Sequence, residues 1–133
     1  MRYLLDTNIL SDLLRNPRTS PVRARLAEVG ADAVCTSPFV ACALRFGAAK
    51  RNAPRLVAAV DGLLRRLKIA ELDLIGFPTV YADLRVRLER AGTPVGAMDL
   101  LIASHALSLG SCLVTHNLRE FERVDGLRVE SWL

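Results

Sequence analysis

Tyr3-Leu4-Leu5-Asp6-Thr7-Asn8-Ile9-Leu10 compresses a change of secondary structure into a few residues. Tyr3-Leu4-Leu5 is a short apolar run, stopped at once by polar residues, which predicts a buried strand. Ile9 to Arg15 predicts a helix that follows immediately, with Thr7 or Asn8 as its cap. Asp6 either caps this helix as well or stands as a carboxylate at the end of the strand.

The same grammar recurs along the chain. Asn16-Pro17 ends the first helix, because a residue before proline is pushed out of the helical region. Val22 to Glu28 predicts a second helix, closed by Gly30, and Ala33 to Thr36 a second strand. Ser37-Pro38 then opens a helix in the cap-then-proline order. Arg55 to Leu67 carries Leu56, Val60, Leu63, Leu64 and Leu67 at helical spacing. Ile69 to Leu72 is a candidate third strand. Thr79 to Ala91 predicts an amphipathic helix, with Val80, Leu84 and Leu88 on one face and Asp83, Arg87 and Arg90 on another. Gly92 to Gly96 is a loop. Met98 to Leu109 is apolar nearly all round, which predicts a central, buried helix. Cys112 to Thr115 is a further strand, Leu118 to Glu122 a helical turn, and Leu127 to Glu130 a last strand. Strands alternating with helices imply a mostly parallel sheet of roughly four to five short strands with helices on its faces. The expectation is one α/β domain over residues 1–133.

Composition agrees with a globular chain. Apolar residues make up 51% and charged residues 24% of 133 residues, close to the globular average. Eighteen Lys and Arg against fourteen Asp and Glu give a net charge of +4. Such a surface suits a polyanion or an acidic protein, although solvated helix faces account for it equally well. Cys35, Cys42 and Cys112 have no metal-site spacing. They read as reduced thiols of a cytoplasmic protein, with Cys42 and Cys112 in apolar runs. An acid at position six argues against a signal peptide. No apolar run approaches the ~18 residues of a membrane span.

In an open parallel sheet, ligands bind beyond the carboxyl ends of the strands. Asp6 ends the first strand, Asn117 and Glu120 follow a later one, and Asp99 opens the apolar helix. If the sheet brings these together, they form a set of hard oxygen donors suited to Mg²⁺ or Mn²⁺. Each also has a purely structural reading: helix cap for Asp6 and Asn117, dipole partner for Asp99, solvated acid for Glu120. His105 reads as a packed or hydrogen-bonded core residue, and His116 as a loop residue. No glycine-rich phosphate loop and no serine-hydrolase pattern is present.

Taken together, three stretches resemble a known family. Leu4-Leu5-Asp6-Thr7-Asn8-Ile9-Leu10 resembles the opening of PIN domains, specifically the VapC toxins of VapBC toxin–antitoxin systems. Gly92 to Ala103, around Asp99, is similar to that family's second acidic motif, and Leu113 to Phe121 to its third. The ending Gly126 to Leu133 is similar as well, so the resemblance spans essentially the whole chain. It implies a Mg²⁺- or Mn²⁺-dependent endoribonuclease acting on structured RNA, commonly tRNA. It also implies a homodimer and a VapB-type antitoxin partner, with operator DNA reached only through that antitoxin. By position, Asp6, Asp99 and Glu120 would serve the metal, and Asn117 stands where many relatives have aspartate.

Two positions depart from the pattern. Met98 stands where relatives often have Asn. Ala43 fills the slot in which Thr-Ser, five residues, then Glu-Leu would place a glutamate; here Thr36-Ser37 and Leu44 surround a vacancy. Phe39, Cys42, Ala43 and Phe46 follow a helical stripe, which predicts that Ala43 faces the interior. Otherwise intact motifs favour an introduced substitution over natural decay. The vacancy implies impaired cleavage, with a non-catalytic RNA- or antitoxin-binding module as the alternative. Arg45, Lys50 and Arg51, beyond it on the same helix, are candidates for RNA phosphate or an antitoxin acid.

Overall fold

A computed structural model describes residues 2–133. Four strands form one parallel sheet: β1 (Tyr3–Leu5), β2 (Val34–Cys35), β3 (Cys112–Val114) and β4 (Val129–Glu130), in the order β2-β1-β3-β4. Tyr3 lies opposite Val34 on one side and Cys112 on the other. The two central strands are buried throughout, as expected where helices cover both faces of a parallel sheet. Seven α-helices surround it: α1 (Thr7–Arg15), α2 (Pro21–Val29), α3 (Pro38–Arg51), α4 (Pro54–Arg66), α5 (Gly76–Arg90), α6 (Ala97–Leu109) and α7 (Leu118–Phe121).

The helix starts follow capping chemistry. Asp6 accepts from the Thr7 amide at 2.7 Å and is itself the cap of α1, one residue before Thr7 and two before Asn8. Ser20 and Ser37 cap α2 and α3, each followed by proline. Helix α6 buries Leu100, Ile102, Ala103, Ser104, His105 and Ala106, so the apolar-all-round reading holds. Leu84 and Leu88 of α5 are buried, and its outer face carries the pairs Asp83–Arg87 and Arg85–Glu89.

Three expectations need correction. Ile69 to Leu72 is not a full strand: only an isolated parallel bridge joins Thr36 to Ile69, with Thr36 bonded to Lys68 and Ala70. The buried face of α3 is Val40, Leu44 and Ala48, whereas Phe46 is 67% exposed and Cys42 is exposed. Ala43 is therefore half-buried at the edge of that face rather than within it. Helix α3 is apolar on more than one side, so two stripes at helical spacing overlap in the sequence, and packing against α1 and α6 selects one. Cys42 is accordingly a surface thiol, while Cys35 and Cys112 are buried and free. Among the described residues, no helix is long and apolar enough to cross a membrane.

Candidate active site

The site forms where β1 and β3 end side by side. Asp6 leaves β1 with its amide bonded to the Val114 carbonyl at 2.9 Å, and its side chain is only 3% exposed. Thr115, just past β3, donates its hydroxyl to Asp6 Oδ2 at 2.8 Å. The same hydroxyl accepts from Asn8 Nδ2 at 3.3 Å and from the Asn117 amide at 3.1 Å. Asn8 Oδ1 in turn accepts the His116 amide at 3.0 Å. One threonine thus uses its donor and both acceptor positions to join the first turn of α1 to the loop after β3.

Glu120 is held by its own set of donors. Its Oε1 accepts from the Gly96 amide at 3.1 Å and its Oε2 from Asn117 Nδ2 at 2.6 Å. Asn117 precedes α7 in the cap position, but its side chain makes no capping bond and is spent on Glu120 instead. Gly96 precedes α6, so this contact brings Glu120 to the helix end that carries Asp99. The Asp99 carboxyl shares a hydrogen bond with Glu120.

The electrostatics register the crowding. Burial, then the bond and charge of Glu120, then the charge of Asp6, push Asp99 from 3.8 up to about 7. Burial also raises Asp6, against the bonds from Thr115 and Thr7, and Glu120 adds repulsion. Burial acts to raise Glu120 too, but the Gly96 amide, Asp99, Asn117 and Arg123 outweigh it and hold this carboxyl below its usual range. Asp99 and Asp6 are thus both harder to ionise here than in water, while Glu120 is easier.

The donor set fits a hard divalent cation. Among the described residues no three His, Cys, Asp or Glu side chains are drawn into one tight cluster. Mg²⁺ does not require such a cage, since it takes one or two carboxylates and keeps several waters. Asp6 and Asp99 are the two carboxylates that would meet that demand, and a cation's charge would offset the burial and repulsion that raise both of them.

Position 43 shares a groove with the residue that follows Asp6. Ala43 lines an open groove of about 660 Å³ together with Thr7, Ser11, Arg15, Leu44, Lys50 and Arg51. Thr7 is the residue whose amide caps onto Asp6, so the groove begins beside the carboxylates. Arg45 does not share it. It pairs with Asp61 at 3.2 Å on the outer side, where Arg65 also binds Asp61. The expected trio is therefore split, with Lys50 and Arg51 toward the groove and Arg45 away from it.

The sequence anticipates Asp6, Asp99, Glu120 and Asn117, and the structure brings these four together. It misses Thr115, Asn8 and Gly96. The only signal for these is polarity or smallness at an element boundary close to one of the acids.

Known proteins match this arrangement over its full length. The PIN domain family matches residues 3–127. The tRNA(fMet)-specific endonuclease VapC of Salmonella typhimurium is 38% identical, covering 99% of this chain and 98% of that protein. Ribonuclease VapC2 of Haemophilus influenzae is 34% identical, covering 100% and 99%. Among solved structures, DNA-bound VapBC from Salmonella typhimurium superposes with a TM-score of 0.92 at 37% identity, covering 100% of this chain and 99% of that one. VapBC2 from Rickettsia felis, bound to a promoter DNA fragment, gives 0.89 at 33% identity with both chains fully covered. Fold, length and sequence agree, and the chain belongs to the PIN-domain family, among its VapC ribonucleases.

Proposed function

We propose that this chain is the toxin of a VapBC-type pair: a Mg²⁺- or Mn²⁺-dependent endoribonuclease that cuts structured RNA, tRNA in particular, and is impaired by Ala43. The observation that carries this reading is the crowding of Asp6, Asp99 and Glu120 beyond the carboxyl ends of β1 and β3, where burial and the neighbouring Glu120 hold Asp99 well above the usual carboxylate range. Asp6 and Asp99 would hold the cation, which when bound lowers the pKa of water and neutralises phosphate charge. Glu120 supplies a further acid, and Asn117 and Gly96 fix its direction. Thr115 and the Thr7 amide hold the two oxygens of Asp6 in one orientation. Alanine at position 43 offers no carboxylate where the groove opens beside Thr7, and cleavage suffers by at least the roughly 10–100-fold typical of weakened metal sites.

The solved relatives are VapBC complexes, and a small VapB-type antitoxin is the partner inferred for this chain. Operator DNA is reached through that antitoxin, the toxin acts as a homodimer, and its substrate places it in the cytoplasm. The vacancy at Ala43 is what favours a second reading, a module that binds RNA or antitoxin without cutting.

Asp6→Asn, Asp99→Asn and Glu120→Gln, each made in an Ala43→Glu chain, test the assignment. Each is expected to lower metal-dependent RNA cleavage at least tenfold. Full activity in all three would reject these residues as the site.

A further inference from the structure

Away from the carboxylates, Thr36, Ser37 and His105 are fully buried polar side chains, and Ser37 and His105 bond to each other. Thr36 and Ser37 are 0% exposed and His105 is 1% exposed. The Thr36 hydroxyl donates to the Leu5 carbonyl at 2.8 Å, one residue before Asp6. Ser37 Oγ lies 2.8 Å from His105 Nδ1 and also accepts the Phe39 amide at 3.2 Å. His105 Nε2 lies 3.0 Å from the Glu71 carbonyl oxygen. A carbonyl only accepts, so Nε2 carries the hydrogen and Nδ1 accepts from Ser37. The rings of Phe39 and Phe77 stand edge-on to the imidazole at 6.3 and 6.1 Å.

We propose that His105 is a positioning residue: its imidazole, bonded to Ser37 and Glu71, fixes α6, which carries Asp99, against α3, which carries position 43. Ser37 lies six residues before position 43 and His105 six residues after Asp99, each about 9 Å along its helix at 1.5 Å per residue. Thr36 extends the junction to β1 and so to Asp6. One buried bond thus ties α6 to α3, and the neighbouring Thr36 ties the residue before α3's cap to β1. Burial holds the imidazole below its usual pKa, against the bond to the Glu71 carbonyl, so both of its bonds persist at neutral pH. Either bond alone would suit a core histidine. What points to the site is that the two bonds and the adjacent Thr36 each reach a different site-bearing segment or its neighbour.

This inference rests on the nuclease reading above. The test uses the full Ala43→Glu chain as reference and compares His105→Phe, Ser37→Ala and the double variant. Cleavage of tRNA is followed as kcat and KM, Mn²⁺ affinity by titration, and fold by thermal unfolding. The expected result is a fall in kcat of about tenfold for each single variant. KM should stay within about twofold, Mn²⁺ affinity should weaken several-fold, and the double variant should be no worse than either single. Folded single variants with unchanged kcat and unchanged Mn²⁺ affinity would overturn the proposal. If the reference itself cuts no RNA, the nuclease reading fails, and Mn²⁺ affinity alone decides the clamp: weakened supports it, unchanged overturns it. In the unaltered chain, ¹⁵N NMR should show His105 protonated on Nε2 and bare on Nδ1. The opposite tautomer would also overturn the proposal, whatever the stability of the variants.

Discussion

Thr115 has no ionisable group, yet the polar residues around Asp6 meet at its hydroxyl. Thr115→Val keeps the shape, removes the donor to a nearly buried carboxylate, leaves the Asn117 amide without this acceptor and leaves Asn8 Nδ2 only its 3.5 Å bond to Asp6 Oδ2. It is expected to destabilise the fold by about 1–3 kcal/mol, measured by urea unfolding. Asp6, Asp99 and Glu120 are legible in the sequence because each sits at an element junction, where a parallel sheet collects ligands. Thr115 is not, because its role depends on a partner 109 residues away. Asp99 yields a prediction whose sign can be fixed. Its folded pKa is raised from 3.8 to about 7, so the folded state binds more protons than the unfolded state between these values. Its unfavourable ionisation therefore lowers stability as pH rises from about 4 to about 7, and the loss persists above that. Asp99→Asn should raise Tm at pH 8 and leave it nearly unchanged at pH 4. Equal shifts at both values would show that Asp99 is not crowded by Glu120 and Asp6.

Helix α3 shows where periodicity stops being informative. Its start is written in Ser37-Pro38, and cap and proline appear as expected. Its inward face is not, because Phe39, Val40, Cys42, Ala43, Leu44, Phe46 and Ala48 supply apolar side chains in several directions. The contrast can be measured: Leu44→Ala should cost about 2–5 kcal/mol, and Phe46→Ala should stay within about 0.5 kcal/mol. The reverse order would restore the stripe expected from sequence. Helix α6 is legible for the opposite reason, since a segment apolar all round has only one place to go. The segment after α4 falls short of a strand because it pairs with β2 only at Thr36 and Ile69. Its backbone is committed instead to Thr36 and, through Glu71, to His105.

Across the whole molecule, a net charge of +4 says little until the fold sorts the cations. Arg45 and Arg65 are spent on Asp61 and Arg85 on Glu89, while Arg15, Lys50 and Arg51 line the groove beside Ala43. Lys50→Gln with Arg51→Gln should weaken RNA binding and reduce its salt slope by about 1 for each cation that had faced a phosphate. Arg45→Gln should leave that slope unchanged. The α/β class, the parallel sheet and the helix succession follow from alternation and cap chemistry; the strand order β2-β1-β3-β4 is set by tertiary pairing that no local pattern encodes. The same holds for the groove, which is made by three helices whose relative placement is likewise tertiary. Position 43 is where the family resemblance implies a glutamate and this chain has alanine, and the proposed impairment turns on it. Cleavage rates of this chain and its Ala43→Glu variant, measured side by side on tRNA with Mg²⁺ or Mn²⁺, test it most directly. The variant is predicted to be at least about 10–100-fold faster, and chelation of the metal should abolish the difference. Equal rates, or no cleavage by a well-folded variant across a broad RNA panel, would contradict this.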